Sequence, residues 1–282
     1  MAGHLAKAGH TVTVYNRTAG KAAAWVDGHR SEGLDVRLAL TASEAAEGQD
    51  AVLTCVGNDD DLAQVVLGAD GALGAMRAGS LLIDHTTVSP EIARCIARDA
   101  EARGVLSLDA PVSGGQAGAE SGKLSIMCGG SDAAMAAATP IMEAYAARIV
   151  HVGGPGAGQA TKAVNQVAIA GLLAGLSEAV RLAQAEGLDL DKVFEAVSGG
   201  AAQSWQMVNR WETMAKDEFD FGFAVDWMRK DLAIALAEGR ELGLEMPVTA
   251  MVDDFYSEVQ YLGGSRQDTS ALIRRLPKGG AR

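Results

Sequence analysis

Three cysteines in 282 residues are too few for a disulfide framework. Cys55, Cys95 and Cys128 also lie too far apart, with no C-x-x-C pair, for a thiolate zinc site. A reducing, cytoplasmic setting is expected. Basic residues are in deficit: 24 Lys plus Arg stand against 36 Asp plus Glu, a net charge of −12 that repels nucleic-acid backbones and anionic lipid. Neither nucleic acid nor a membrane surface is an expected partner. Long apolar runs are missing as well. The longest, Val167 to Leu176, stops at Ser177-Glu178, well short of the ~20 residues that cross a bilayer, and is expected to be a buried helix. The opening residues, Met1 to His10, have neither the apolar stretch nor the cleavage site of a secretory signal. No solenoid-period repeat is present, and no His, Asp or Glu spacing suits a metal ligand set.

What is there is a globular composition, 48% hydrophobic and 21% charged, with enough chain for two domains. The first half alternates short β-branched runs with amphipathic stretches. Thr11 to Tyr15, Ala51 to Val56, Ser80 to Asp84 and Val105 to Asp109 read as strands separated mostly by helices, the pattern of a parallel α/β sheet. Leu124 to Cys128 and Ile149 to Val152 read as two further strands around a helix from Asp132 to Tyr145. After Gly153-Gly154-Pro155-Gly156 the pattern becomes Ala- and Leu-rich helical periodicity with no strand. A long helix is expected from Gly158 to Glu186, closed by Gly187, with Asp189 capping the next. The expected domains are therefore a sheet domain, 1–153, and an all-α domain, 154–282.

In a doubly wound sheet, ligands bind at the carboxyl ends of the strands. Asn16-Arg17-Thr18 follows the first run, where a dinucleotide-binding sheet usually carries an acidic residue for the adenosine ribose. Here the guanidinium of Arg17 suits a 2′-phosphate instead and favours NADP over NAD, the plain alternative being a solvated arginine in a turn. Val56-Gly57-Asn58, Thr86-Thr87 and Asp109 to Gly115 follow later strands and offer backbone N–H groups, hydroxyls and glycines. Each alone is ordinary turn chemistry; their recurrence on successive strands points to a ligand. On the long helix Lys162, Asn165 and Gln166 share one face. A desolvated lysine there can pass a proton to or from a substrate oxygen, and an asparagine can hydrogen-bond it. An exposed lysine on a helix turn is the bland reading. Lys230-Asp231-Leu232 leaves the same choice open between surface charge and ligand contact.

Taken together, these segments resemble the β-hydroxyacid dehydrogenase family of 3-hydroxyisobutyrate dehydrogenases, tartronate semialdehyde reductases and glyoxylate/succinic semialdehyde reductases. The resemblance rests on Met1 to His10 leading to Asn16-Arg17-Thr18, on Asp109-Ala110-Pro111-Val112-Ser113-Gly114-Gly115, on Gly156 through Gln166, and on Lys230-Asp231-Leu232. It covers nearly the whole chain. It implies a Rossmann-like dinucleotide-binding domain followed by an all-α domain, with NADP as cofactor and NAD as the second option. It further implies Lys162 as the catalytic lysine, Asn165 as a substrate-binding asparagine, and Ser113, Gly114 and Gly115 as the loop receiving the substrate carboxylate. Val56, Gly57, Asn58, Thr87 and Lys230 match nicotinamide-cofactor contacts, beside Asn16, Arg17 and Thr18 at the adenosine end. A small hydroxy acid or semialdehyde as substrate and a homodimer or homotetramer are implied.

Two departures stand out. Many relatives have Leu-Pro at Val56-Gly57 and Met or Ser at His85. Relatives also begin with an apolar strand and a G-x-G-x-x-G turn, whereas this chain begins inside the helix that follows that turn. The first strand and the pyrophosphate cradle are expected in the upstream frame, in roughly 12 to 20 residues. The competing reading is a non-catalytic remnant that keeps the helical assembly domain. An imine reductase is disfavoured because those enzymes usually lack a lysine at the position of Lys162. The substrate side-chain pocket is expected to draw on Ser204, Trp205 and Phe223.

Overall fold

The structure, a computed structural model, describes residues 1–277. The chain divides into two compact units, Met1–Lys162 and Ala163–Arg282. In order, the first holds α1 (Ala2–Lys7), β1 (Val12–Val14), α2 (Ala19–Ser31), β2 (Val36–Leu38), α3 (Ala42–Ala46), β3 (Ala51–Thr54), α4 (Asp59–Leu67) and α5 (Ala72–Ala75). There follow β4 (Leu81–Asp84), α6 (Pro90–Ala102), β5 (Leu106–Asp109), β6 (Val112–Ser113), α7 (Gly115–Ser121), β7 (Leu124–Gly130), α8 (Asp132–Met142) and β8 (Ala146–Gly153).

Strands β3, β4 and β5 run parallel in sequence order; β7 joins β5 antiparallel and carries β6 antiparallel and β8 parallel. β1 and β2 pair in parallel in a sheet of their own, and among the described residues no ladder joins β1 to β3. The central strand β4, Leu-Leu-Ile-Asp, is buried on both faces, as a strand covered by helices on both sides must be. Polar caps start the crossover helices: Thr41, Asn58, Ser89 and Ser131 each accept the N–H three residues on. In α6 the cap is followed by Pro90 at a first-turn position where its missing N–H costs nothing.

Sequence periodicity misses β2 and β6, which are only three and two residues long. The helix expected to reach Tyr145 ends at Met142, because Tyr145 turns into the core and bonds His85. The first compact unit runs past the last strand as far as Lys162, where α9 has already begun. The intervening segment belongs with the sheet because Asp109, at the end of β5, accepts from the N–H groups of Gly156 and Gln159.

Helix α9 (Ala157–Ala185) starts in the first unit and continues into the second, which adds α10 (Leu190–Val197), α11 (Trp205–Lys216), α12 (Val225–Glu241), α13 (Pro247–Tyr261) and a 3-10 turn at Thr269–Arg275. Gly187 adopts φ +68°, the left-handed cap that only glycine takes cheaply, and Asp189 accepts from Asp191 and Lys192 to start α10. Leu173, Leu176, Val180, Trp211, Met228 and Tyr256 form this unit's core. Of the Val167–Leu176 stretch, expected as a buried helix, one face is buried. Ala170, Leu173 and Leu176 are inside, whereas Leu172, like Val164 and Leu182 on the same helix, is exposed. By length and composition α9 could cross a bilayer, yet it carries the buried Arg181, paired with Asp217 at 3.1 Å.

Candidate active site

In the first unit the carboxyl ends of β1, β3 and β4 are tied into one hydrogen-bonded system. After β1, Asn16 Oδ1 accepts from the N–H of Thr18, a side-chain turn that leads into α2. Arg17, with its side chain 77% exposed, donates to Asp61 in the first turn of α4 at 2.7 Å. That turn is capped by Asn58 Oδ1. After β3, the N–H of Val56 donates to Thr86 Oγ1. This N–H, placed at a strand end where a ligand could use it, joins the β3 and β4 loops. Thr87 is half-buried between Thr86 and Val88.

Beneath these loops lie two buried carboxylates. Asp84 Oδ1 accepts from Thr54 Oγ1 at 2.7 Å, from Thr86 Oγ1 at 2.6 Å and from the N–H of Thr86. Its Oδ2 accepts no hydrogen bond among the described residues. Burial raises Asp84 to about 6 in spite of these donors. Asp109 is raised to about 6 by the same cause, although its two oxygens take the N–H groups of Gly156 at 2.7 Å and Gln159 at 2.9 Å. His85, one of the departures noted above, is buried, and both of its ring nitrogens are engaged within the protein. Its Nδ1–H donates to the Ala110 carbonyl at 2.7 Å, so Nε2 accepts from the Tyr145 hydroxyl at 2.8 Å. Burial lowers His85 to about 4, which keeps the ring neutral.

Ser113 ends β6, and Gly114 and Gly115 follow at φ +123° and +60°, values that side chains rarely adopt. Lys162 is 7% exposed on α9, against the bland reading of a solvated lysine. In the second unit Asn165 Nδ2 donates to Gln166 Oε1, Gln166 Nε2 donates to Asp231 Oδ2 at 2.7 Å, and Lys230 Nζ lies 3.1 Å from Asp231 Oδ1. Two predicted contacts, Asn165 and Lys230, thus share one network through the buried Gln166 and Asp231. Ser204 caps α11, Trp205 is exposed under the Arg210 guanidinium, and Phe223 donates its N–H to Asp268.

Residues 1–153 match the family model described as the NAD binding domain of 6-phosphogluconate dehydrogenase. Residues 156–276 match that described as NAD-binding of NADP-dependent 3-hydroxyisobutyrate dehydrogenase. An oxidoreductase of Shewanella frigidimarina is 55% identical over 99% of this chain and 94% of its own. The chain belongs to the β-hydroxyacid dehydrogenase family. The 3-hydroxyisobutyrate dehydrogenase of Pseudomonas aeruginosa is 35% identical over 91% of this chain and 87% of its own. Among solved structures, Mycobacterium tuberculosis 3-hydroxyisobutyrate dehydrogenase with L-serine superposes with a TM-score of 0.85 at 31% identity, covering 98% of this chain and 94% of that one.

The protein is thus an NAD(P)-dependent hydroxyacid dehydrogenase, and the donor set at the strand ends fits a dinucleotide. The turn after β1 holds two neutral side chains and a guanidinium, chemistry suited to phosphate, with the guanidinium engaged by Asp61 of α4 in this structure. Three features of the dehydrogenase escaped sequence reasoning: Asp109 as the cap of α9, Gln159 as a bridge to the β4 loop, and the Arg210–Asp268 pair at 3.0 Å. Each joins residues about fifty or more positions apart, and only an aspartate at the end of a strand hinted at the first.

The raised value of Asp84 makes stability depend on pH in a testable way. Because its folded value lies above the ordinary 3.8, folding favours the protonated acid, and the stability this contributes is lost as pH rises from 3.8 to about 6. Asp84→Asn removes that charge. Its unfolding free energy relative to wild type should therefore improve by on the order of 2 to 3 kcal/mol between pH 4 and pH 7. Urea titrations across that range check this. A difference that stays constant with pH would mean Asp84 is not held above its ordinary value.

Proposed function

We propose that this dehydrogenase interconverts a small β-hydroxy acid and its semialdehyde with NADP, Lys162 acting as general acid and base. The observation that carries the reading is a lysine 7% exposed on the second turn of a helix whose first turn is pinned by Asp109. Hydride is supplied or taken up by the nicotinamide ring; the remaining work falls to the chain. In reduction the Lys162 ammonium gives a proton to the carbonyl oxygen, and in oxidation the neutral amine takes it back. Asn165, three residues on along the same helix, hydrogen-bonds that oxygen. The Ser113 hydroxyl and the N–H groups of Gly114 and Gly115 receive the carboxylate. Asn16, Arg17 and Thr18 hold the adenosine phosphate, and Val56, Gly57, Asn58, Thr87 and Lys230 contact the rest of the cofactor. Exposed Val164, Leu172 and Leu182 along α9 support self-association as a homodimer or homotetramer.

The test is a spectrophotometric screen of 3-hydroxyisobutyrate, other short β-hydroxy acids and their semialdehydes with NADP(H) and NAD(H). Turnover of none of them with either cofactor would sink the reading. Cofactor choice is checked separately. Arg17→Ala should weaken NADPH binding about tenfold, the loss of a charge-assisted contact, and leave NADH within about twofold. Equal losses for the two cofactors would make Arg17 only the partner of Asp61.

A further inference from the structure

We propose that Gln159 is a positioning residue: its side-chain amide grips the β4 loop on both sides of Thr87 and locks that loop to the turn of α9 that precedes Lys162. The Gln159 Nε2 donates to the Thr86 carbonyl at 2.7 Å, and its Oε1 accepts from the N–H of Val88 at 3.1 Å. A neighbouring parallel strand holds a residue in this same way, by bonding the carbonyl before it and the N–H after it. One side-chain amide therefore does the work of a missing strand partner at a place where β4 has already ended. Gln159 is 1% exposed, so its amide is shielded from bulk water.

Both ends of the bridge are fixed. On the helix side, the N–H of Gln159 donates to Asp109 Oδ2, and Asp109 Oδ1 takes the N–H of Gly156. On the loop side, Asp84 Oδ1 takes the N–H and the hydroxyl of Thr86. Thr86 is thus held from below by Asp84 and from the side by Gln159, and Thr87 lies between two anchored neighbours. Gln159 and Lys162 are three residues apart on one helix and share a face. The bridge therefore sets the distance between the loop that contacts the cofactor and the amine that moves the proton.

This inference rests on the proposed roles of Thr87 and Lys162, and the experiment separates the two. NADPH affinity is measured by fluorescence titration for the full chain, Gln159→Met, Thr87→Ala and the double variant, with circular dichroism to show that each is folded. Gln159→Met is expected to weaken NADPH five- to tenfold in the wild-type background and less than twofold in the Thr87→Ala background, because it acts through Thr87. Gln159→Glu keeps the side-chain length but replaces the Nε2 donor, and should give the same cycle if the methionine variant fails to fold. A purely structural role would lower stability and leave the affinity of the folded protein unchanged. Losses that multiply in the double variant, or an unchanged affinity in both Gln159 variants, overturn the proposal. A Thr87→Ala affinity equal to wild type sinks instead the cofactor contact on which it rests, and an active Lys162→Ala sinks the proton-transfer reading without touching this cycle.

Discussion

Lys162→Ala is expected to lower kcat by 10² to 10⁴-fold, the range for losing a general acid, while NADPH affinity stays within about threefold of wild type. The reason is positional. The first turn of α9 is fastened to the sheet by both oxygens of Asp109 and by the Gln159 amide, so the turn that follows, with its buried lysine, is presented by a rigid support. Rigid support of this kind is what lets a proton donor act without first being ordered. On the proposed roles, removing the amine takes away the proton transfer and leaves the groups assigned to the dinucleotide in place. Lys162→Arg should also be slow, because a guanidinium stays protonated and cannot serve as the base in oxidation. Steady-state turnover in both directions with a fluorescence titration of NADPH measures the split. A Lys162→Ala enzyme keeping more than about a third of wild-type kcat lies far outside that range and would remove Lys162 from the chemistry.

Gly158→Ala is expected to cost about 3 kcal/mol of folding free energy, roughly a hundredfold in the folding equilibrium, at the upper end of overpacking effects. A Cβ at this position would lie 2.5 Å from the carbonyl oxygens of both Asp109 and Met127, and 2.8 Å from Asp109 Oδ2. These are backbone atoms of β5 and β7 and a carboxylate already held by two N–H groups, so none can swing aside. Gly129 faces the same junction from β7, where an added Cβ would come within 2.6 Å of Asp109 Oδ1. The two glycines therefore let the start of α9 press directly onto the sheet, which gives Asp109 its reach to the helix N–H groups. Gly154→Ala is the control: a Cβ there meets nothing within 4 Å, and stability should change by less than about 0.5 kcal/mol. Urea unfolding compares the two. If Gly158→Ala is as mild as Gly154→Ala, the close packing at this junction is not needed for stability.

Much of the site can be read from residue order because of one rule, that ligands meet a parallel sheet at the carboxyl ends of its strands. Asn16 to Thr18, Val56 to Asn58 and Thr86-Thr87 follow β1, β3 and β4, as the pattern of β-branched runs implies, whereas Ser113 closes the short β6 that the pattern misses. Residue order does not reveal which of these groups are already spoken for. Val56 N–H serves Thr86, Asn58 caps α4, and Arg17 pairs with Asp61. Nor does it reveal that His85 is a neutral bridge between Ala110 and Tyr145, since its second partner lies 60 positions away.

By itself the sequence determined the class of fold, the long helix with its Gly187 and Asp189 signals, and the polar groups available at each strand end, because these depend on local periodicity, caps and turn chemistry. Only the tertiary structure decided that Asp109 caps α9, that Gln159 spans the β4 loop, that Gln166 and Asp231 link Asn165 to Lys230, and that α9 buries one face and exposes the other. Those outcomes depend on which distant backbone N–H and C=O groups are brought out of water together. A buried polar group must find its partner wherever the fold places one, and spacing along the chain does not encode that place.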